Sequence, residues 1–189
     1  ACGYQVSCFE EEDAIIYTNI SGGNTDPSGA GFTFIWEELS DTDGDGVNET
    51  STIIIDPNND GVLENIGAGW YAVTVEDWYS TSSGIECSTT DTIEITQPEI
   101  LTITLDDLIN VSCNAGSDGE INITADGGCD DVKYHYLWSN GDTTQNISGV
   151  EAGIYSVTVT DDNDCEQQAT FEITEPEPIN ADVTTANPD

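Results

Sequence analysis

Positive charge is almost absent from this sequence, which has one Lys, one His and no Arg against 38 Asp and Glu residues. The formal net charge of −37 repels phosphate backbones and anionic lipids, which disfavours nucleic-acid binding and direct membrane insertion. A catalytic triad or a phosphate clamp is also disfavoured, because each depends on His, Arg or an activated nucleophile. We therefore expect a protein that is not an enzyme.

Long apolar runs and Cys-x-x-Cys pairs are missing too. Without an apolar run of membrane-spanning length, no transmembrane helix is predicted. The six cysteines are accompanied by a single His, which disfavours a zinc site. An even number of cysteines in small β-domains indicates disulfide bonds and an oxidising compartment, so we expect an extracellular protein.

The two halves of the chain repeat each other. Val-Ser-Cys at 6–8 returns at 111–113, and Phe-Thr-Phe-Ile-Trp at 32–36 matches Tyr-His-Tyr-Leu-Trp at 134–138. The further matches keep the same order along the chain: 16–23 with 121–128, 68–75 with 152–159, Cys87 with Cys165, and 95–98 with 173–176. Self-similarity of this kind indicates a duplicated domain, and the longer spacings place the insertions in the first copy.

Alternating apolar residues between polar turns predict short strands in both halves, the pattern of a β-sandwich. We expect an all-β protein with two tandem sandwiches, residues 1–98 and 99–178, followed by a linker or donor strand at 179–189. Strands of the second copy are predicted near 100–105, 119–125, 132–138, 144–148, 154–160 and 167–174. Gly-x-Tyr at 69–71 and at 153–155 predicts a tyrosine corner in each copy.

One strand of the second copy indicates which side chains form the core. Tyr134, Tyr136 and Trp138 alternate along it, and their common face is expected to be buried. The same alternation directs His135 and Leu137 outward.

The second copy resembles a repeat of a known family. The segments CNAGSDGEINITADGG at 113–128 and YHYLWSNGDTTQNISGVEAGIYSVTVTDDNDCEQQATFEITEPEPI at 134–179 are similar to the gliding-adhesin (SprB-type) repeats of Bacteroidota. The resemblance covers nearly all of 99–178 and, more loosely, 1–98, so two tandem copies are expected. It implies immunoglobulin-like (PKD-like) sandwiches, type nine secretion and adhesion at the cell surface. Cys2, Cys129 and the acidic insertion depart from the family pattern.

The acidic insertion in the first copy holds the main candidate metal site. The segments DTDGDGVNE at 41–49 and DPNNDGVLE at 56–64 space their oxygen-bearing residues alike. Calcium takes about six to eight oxygen ligands in flexible geometry, which such loops supply. The expected calcium ligands are Asp41, Asp43, Asp45, the Val47 carbonyl and Glu49, and then Asp56, Asn58, Asp60, the Val62 carbonyl and Glu64.

Neither segment is a complete EF-hand loop. Thr52 and Gly67 stand where an EF-hand has its bidentate Glu, and the flanking sequence is typical of strands rather than helices. We therefore expect loop sites outside a helix–loop–helix. The alternative is an ordinary turn rich in Asp, Asn and Gly.

The cysteines that match between the copies predict one disulfide in each, Cys8 with Cys87 and Cys113 with Cys165. Such bonds would tie the start of each copy to its last hairpin. Cys2 and Cys129 have no counterparts. They pair with each other or with the same residues of a neighbouring subunit, and the sequence leaves both alternatives open.

The ends of the chain suggest how units join. The second copy begins with an apolar strand at 100–105 that the first copy lacks, because Ala1 aligns with Asp106. The tail after Pro176 contains a strand of the missing kind. We expect units to join head to tail, either within a longer chain or by donation of 179–185 to the next copy. The alternative is a chain cut at domain edges.

The function expected from these features is a structural unit of an extracellular bacterial surface fibre or adhesin, stabilised by calcium. Its partners would be identical subunits or neighbouring repeats. The alternative is an accessory module that binds carbohydrate or another ligand. In that case Trp78 and Tyr79, in a long hairpin loop, would stack on surface glycans. Otherwise the same two residues are expected to cap a subunit interface.

Overall fold

Strands account for all the described secondary structure. A computed structural model describes residues 5–23, 31–41, 48, 50–54, 56, 58–77, 87–129 and 133–184. The strands are β1 Ala14–Tyr17, β2 Thr33–Ser40, β3 Thr50–Ile54, β4 Val62–Ile66, β5 Gly69–Glu76, β6 Ser88–Ile95, β7 Glu99–Ile109, β8 Gly119–Gly128, β9 His135–Trp138, β10 Ile147–Val150, β11 Gly153–Thr160 and β12 Glu166–Ile173. The predicted all-β class is confirmed. Within these ranges, no helix is long and apolar enough to cross a membrane.

The chain divides into two units, Ala1–Glu99 (unit 1) and Ile100–Asp189 (unit 2). In unit 1, β1 pairs with β4, and a second sheet has the strand order β3–β2–β5–β6. In unit 2, the two sheets have the orders β10–β8–β7 and β12–β11–β9. Each unit buries one apolar cluster to which both of its sheets contribute, so each is a β-sandwich.

The same strand pairings occur in both units. Strand β1 pairs with β4 as β8 pairs with β10, and β2, β5 and β6 are ordered as β9, β11 and β12. Two of the described strands have no counterpart in the described part of the other unit. Strand β3 lies in the acidic insertion and extends the sheet of unit 1 beside β2, whereas β7 extends the sheet of unit 2 beside β8.

The core of unit 2 lies between its two sheets. Ile121 and Ile123 of β8 pack in one cluster with Trp138 of β9 and Val157 of β11. The ring of Phe171 lies against Trp138, with 6.2 Å between the ring centroids. Burying each of these side chains stabilises the fold by roughly 1.5–3 kcal/mol. This cluster is formed by the apolar residues that alternate with polar residues along the strands.

Strand β9 confirms the predicted faces. Trp138 is buried and Tyr136 half-buried, whereas His135 is exposed and Leu137 is 59% exposed. Tyr134, just before the strand, is half-buried, and its hydroxyl donates to the carbonyl oxygen of Gly127 at 2.8 Å.

A tyrosine corner is present in each unit, as predicted. The hydroxyl of Tyr71 donates to the carbonyl oxygen of Gly67 at 3.1 Å, and that of Tyr155 donates to the carbonyl oxygen of Glu151 at 3.0 Å. The two bonds have the same sequence separation. Burial raises the pKa of Tyr71, and the negative charge of Glu38 raises it further.

Candidate functional site

Unit 1 contains an open groove of about 390 Å³ along strand β1. Strand β4 occupies one edge of β1, and no described strand pairs with the other edge. One wall of the groove is the chain from Ile16 to Ser21, and the other comes from β2, β5 and β6. The lining residues are Ile16, Tyr17, Thr18, Asn19, Ile20, Ser21, Trp36, Val73, Val75, Thr89, Thr90, Asp91, Thr92 and Ile93.

Unit 2 has a strand in the corresponding place. There β7 pairs with β8, the counterpart of β1. Leu101 of β7 is buried, and Ile103 packs against the core of unit 2. The hydroxyl of Thr102 donates to the carbonyl oxygen of Asp126 at 3.1 Å. Because Asp126 matches Ser21 in the repeat, the groove of unit 1 lies where unit 2 holds β7.

Two polar atoms buried in the wall of the groove lack hydrogen-bond partners among the described residues. They are Nε1 of Trp36 and Oγ1 of Thr18. An unmet buried donor or acceptor costs about 1–3 kcal/mol, so such atoms are uncommon in a complete core. The groove therefore has unmet hydrogen-bonding capacity as well as apolar surface.

In the second candidate calcium segment, aspartate side chains accept hydrogen bonds from backbone amides of the same segment. Oδ1 of Asp56 accepts from the amides of Asn58 and Asn59 at 3.0 and 2.9 Å, and Oδ2 accepts from the amide of Gly61 at 3.2 Å. Oδ1 of Asp60 accepts from the amide of Val62 at 3.1 Å. These bonds form a tight turn.

Asn59, which the sequence did not single out, anchors this turn to strand β2. Its Oδ1 accepts from the amide of Phe34 at 2.9 Å, and its Nδ2 donates to the carbonyl oxygen of Phe32 at 3.1 Å. Asn59 has a positive φ of 50°, a conformation that Asn adopts more readily than most residues. The run Asn-Asn-Asp-Gly at 58–61, made of residues that favour turns, was the available signal.

The expected calcium ligands are only partly covered by the structure. Asp43, Asp45, Val47 and Glu49 lie outside the described residues. Asp56, Asn58 and Asp60 lie in the turn, Val62 begins β4, and Glu64 is exposed on β4 opposite Ile15. Among the side chains that the structure describes, no group of three or more His, Cys, Asp or Glu residues is placed to hold a metal. The calcium site stays a prediction.

The predicted disulfide pairings are wrong. Cys87 and Cys113 have free, exposed thiols, whereas Cys8, Cys129 and Cys165 are disulfide-bonded. Cys2 lies outside the described residues.

Strand length explains the error in unit 2. Cys113 precedes β8 and Cys129 follows it. Because β8 has ten extended residues, its two ends are about 33 Å apart. The backbone amides of Cys129 and Cys165 both donate to the carboxylate of Asp161, at 3.1 and 3.0 Å. We therefore assign Cys129 and Cys165 to each other.

The same reasoning applies to unit 1. Cys8 lies near the end of β6, where the amide of Val6 donates to the carbonyl oxygen of Thr96 at 3.2 Å. Cys87 instead immediately precedes the start of β6, an eight-residue strand. The two cysteines match Cys113 and Cys165 in the repeat but lie at opposite ends of that strand.

Asp161 organises the disulfide end of unit 2. It is 2% exposed, and its Oδ1 also accepts from the amide of Asn163 at 2.8 Å. Its own amide donates to the carbonyl oxygen of Cys165 at 3.0 Å. A buried carboxylate whose oxygens accept hydrogen bonds in this way is a structural element.

Trp78 and Tyr79, the expected glycan or interface residues, lie outside the described residues. Their role stays a prediction.

Residues 107–143 match the family described as the SprB repeat. Unit 2 is therefore similar to an SprB repeat over this stretch. The matched stretch runs from the end of β7 through β8 and β9 to the following turn. A search of curated proteins gave no match.

The stretch that matches the SprB repeat contains a local motif that unit 1 shares. Oδ1 of Asp118 accepts from the amide of Ser112 at 2.9 Å, and Oδ1 of Asp13 accepts from the amide of Ser7 at 3.0 Å. Hydrogen bonds from the side chain and the amide of the serine lower the pKa of Asp118 and, in the same way, that of Asp13. The two pairs occupy matching positions in the two units.

Several solved structures are similar to this chain at low identity. The three N-terminal domains of the bacteriophage RB49 highly immunogenic outer capsid protein (Hoc) are 21% identical, over 90% of this chain and 57% of that chain, with a TM-score of 0.45. The eight N-terminal Ig domains of DSCAM are 14% identical, over 91% and 21%, with a TM-score of 0.36. Murine CEACAM1b is 12% identical, over 88% and 94%, with a TM-score of 0.32. This chain therefore spans less than two thirds of the first two of these structures.

Proposed function

We propose that this chain is a non-enzymatic structural unit of an extracellular bacterial surface fibre or adhesin, which assembles head to tail and is stabilised by calcium. The observation that carries the proposal is the SprB-type repeat at 107–143, in a sandwich whose strand pairings recur in unit 1. A disulfide-bonded unit 2 supports an oxidising, extracellular location.

The chemistry of the groove supports a structural role rather than catalysis. Asp91 is the only Asp or Glu among the described residues that line it, and no described lining residue is His or Cys. Glycoside hydrolysis usually needs two carboxylates that flank the scissile bond, and nucleophilic catalysis needs a base beside the nucleophile. Neither arrangement is present among the described residues that line the groove.

Charge supports a role for cations. With a net charge of −37, self-repulsion opposes compact folding unless salt or bound cations reduce it. The two similar acidic segments of the insertion concentrate hard oxygen ligands in unit 1, where calcium would neutralise neighbouring carboxylates. Calcium binding would therefore stiffen unit 1 and favour assembly of like-charged copies.

Sedimentation velocity of the full chain tests the assembly part of this proposal. We expect species that lengthen with protein concentration in the presence of calcium, and shorter species after chelation. A monomer at every concentration, with and without calcium, would overturn head-to-tail assembly. Immunogold labelling of intact source cells tests the location, because label confined to the cell interior would overturn an extracellular role.

A further inference from the structure

We propose that residues 177–184 of a second copy fill the groove of unit 1, as a strand antiparallel to β1. This inference rests on the proposed head-to-tail assembly and identifies the segment that makes the contact. Unit 2 provides the template, because β7 lies on the matching edge of β8 and places Leu101 in the core.

The tail repeats the pattern of β7. Ile-Thr-Gln-Pro at 95–98 leads into β7, and Ile-Thr-Glu-Pro at 173–176 leads into the tail. In this register Ile179 takes the place of Leu101, and Val183 takes the place of Leu105. Ala181 falls between them at the position of Ile103. The tail therefore presents apolar residues at alternate positions, which one face of a strand requires.

The apolar residues of the tail are uncovered. Ile179 is 99% exposed and Val183 is 89% exposed. No strand is assigned in the described residues after β12, up to residue 184. Leu101, at the position of Ile179 in the repeat, is 6% exposed. Seating Ile179 in the groove would remove a large apolar side chain from water.

A pair of glycines shows backbone room beside the groove, next to its lining residue Ser21. Gly127 has φ +83°, and a Cβ there would overlap the carbonyl oxygen of Ile100 in β7. Gly22 matches Gly127 in the repeat and has φ +89°, but a Cβ there would meet no described atom within 4 Å. In the proposed register the carbonyl of Pro178 would approach Gly22.

The free edge of β1 also offers hydrogen bonds. The amide of Thr18 donates to the carbonyl oxygen of Gly61 at 2.9 Å, on the side where β4 lies. Successive residues of a strand direct their amides to opposite edges, so the amide of Tyr17, the last residue of β1, points to the free edge. We infer the same direction for the amide of Asn19, two residues further on. A donated strand would accept hydrogen bonds from both. Pro178 is tolerated because it begins an edge strand.

A synthetic peptide of residues 175–184 tests the occupant directly. Added to the full chain at high salt, which screens the repulsion between two acidic molecules, it should slow amide hydrogen exchange at Tyr17 and Asn19. The matched control is the same peptide with Ile179→Asn and Val183→Asn, which preserves the charge and should give no protection. Equal protection by both peptides, or by neither, would overturn the proposal. Protection of both amides in the chain alone, unchanged by peptide and by dilution, would show that another segment of the same chain fills the groove.

A glycine variant tests the groove within the assembly. Gly22→Ala should weaken self-association of the full chain roughly tenfold or more, because its Cβ would meet the donated backbone. Gly141→Ala is the matched control, because Gly141 has φ +88° and an equally empty Cβ position, but lies in unit 2 away from the groove. Equal effects of the two substitutions would contradict the proposed seating.

These experiments distinguish failure of the groove contact from failure of head-to-tail assembly. If the chain self-associates but neither Gly22→Ala nor the peptide acts on unit 1, head-to-tail assembly stands and the groove is not the contact. If the peptide protects Tyr17 and Asn19 but the full chain stays monomeric, the groove accepts the strand and the assembly proposal fails.

Discussion

The indole N–H of Trp138 donates to the carbonyl oxygen of Thr144 at 2.8 Å, whereas that of Trp36 is buried without an acceptor among the described residues. The two tryptophans occupy matching strands and matching cores. In unit 2, the chain that joins β9 to β10 brings Thr144 to the indole. In unit 1, the acidic insertion and β3 take the place of this connection.

This difference predicts unequal costs for the same substitution. Trp138→Phe loses a satisfied hydrogen bond in addition to ring contacts, whereas Trp36→Phe removes a donor that has no acceptor among the described residues. We expect Trp138→Phe to lower the free energy of unfolding of its unit by about 1 kcal/mol more than Trp36→Phe does. Denaturant unfolding of the full chain, followed by NMR signals from each unit, measures both. Equal losses would show that the indole of Trp36 finds an acceptor in solution.

Removing the disulfide of unit 2 should destabilise that unit alone. The double substitution Cys129→Ala with Cys165→Ala should lower its free energy of unfolding by about 3–4 kcal/mol, because the unfolded chain regains the entropy of a loop of a few tens of residues. Cys113→Ala is the control, since Cys113 is a free thiol, and it should have little effect. Peptide mapping that found Cys113 bonded to Cys165 would contradict the assignment.

Acid should remove one stabilising element from each unit. Serine hydrogen bonds hold the pKa of Asp13 and of Asp118 below the ordinary value of 3.8. Because the folded-state pKa is lowered, the stabilisation is present above the unfolded-state pKa and is lost as the pH falls through the folded-state pKa. Asp118→Asn should therefore destabilise unit 2 at neutral pH and lose its effect in strong acid.

The same comparison with Asp13→Asn should act on unit 1. Each variant is compared with the parent chain at every pH, so that the general relief of charge repulsion on acidification cancels. A stability difference that did not change with pH would show that the aspartate acts through its shape rather than its charge.

Calcium should raise the unfolding temperature of unit 1 more than that of unit 2. Magnesium at the same ionic strength should do so less, because it demands stricter octahedral geometry and releases water reluctantly. Asp60→Asn should weaken the calcium effect, whereas Glu94→Gln, at an exposed position of β6 outside the insertion, should not. A shift that sodium chloride reproduces fully would indicate charge screening without a site.

The strands and core of unit 2 could be predicted because its alternation is regular and its turns are short. The tyrosine corners followed from Gly-x-Tyr, since a Tyr at that place reaches a carbonyl four residues back. The cysteine pairing could not be deduced from the repeat. The repeat shows only that Cys113 and Cys8 occupy equivalent positions. In the fold, Cys113 and Cys165 lie near opposite ends of β8, so the length of this strand keeps them apart. Strand length and direction are tertiary information that matched spacing does not contain.

Only some features of the candidate groove could be predicted from the sequence. Matching the copies showed that the tail has the pattern of β7. It did not show that, among the described residues, the indole of Trp36 lacks an acceptor and no atom lies within 4 Å of a Cβ at Gly22. Both depend on how the two sheets of unit 1 face each other.

Electron cryo-microscopy of the assembled full chain tests the central claim most directly. The account predicts density for an added strand antiparallel to β1, with Ile179 of a neighbouring copy directed into the groove and the backbone of Pro178 against Gly22. Filaments in which this groove stays empty, or is filled by another part of the same chain, would contradict it.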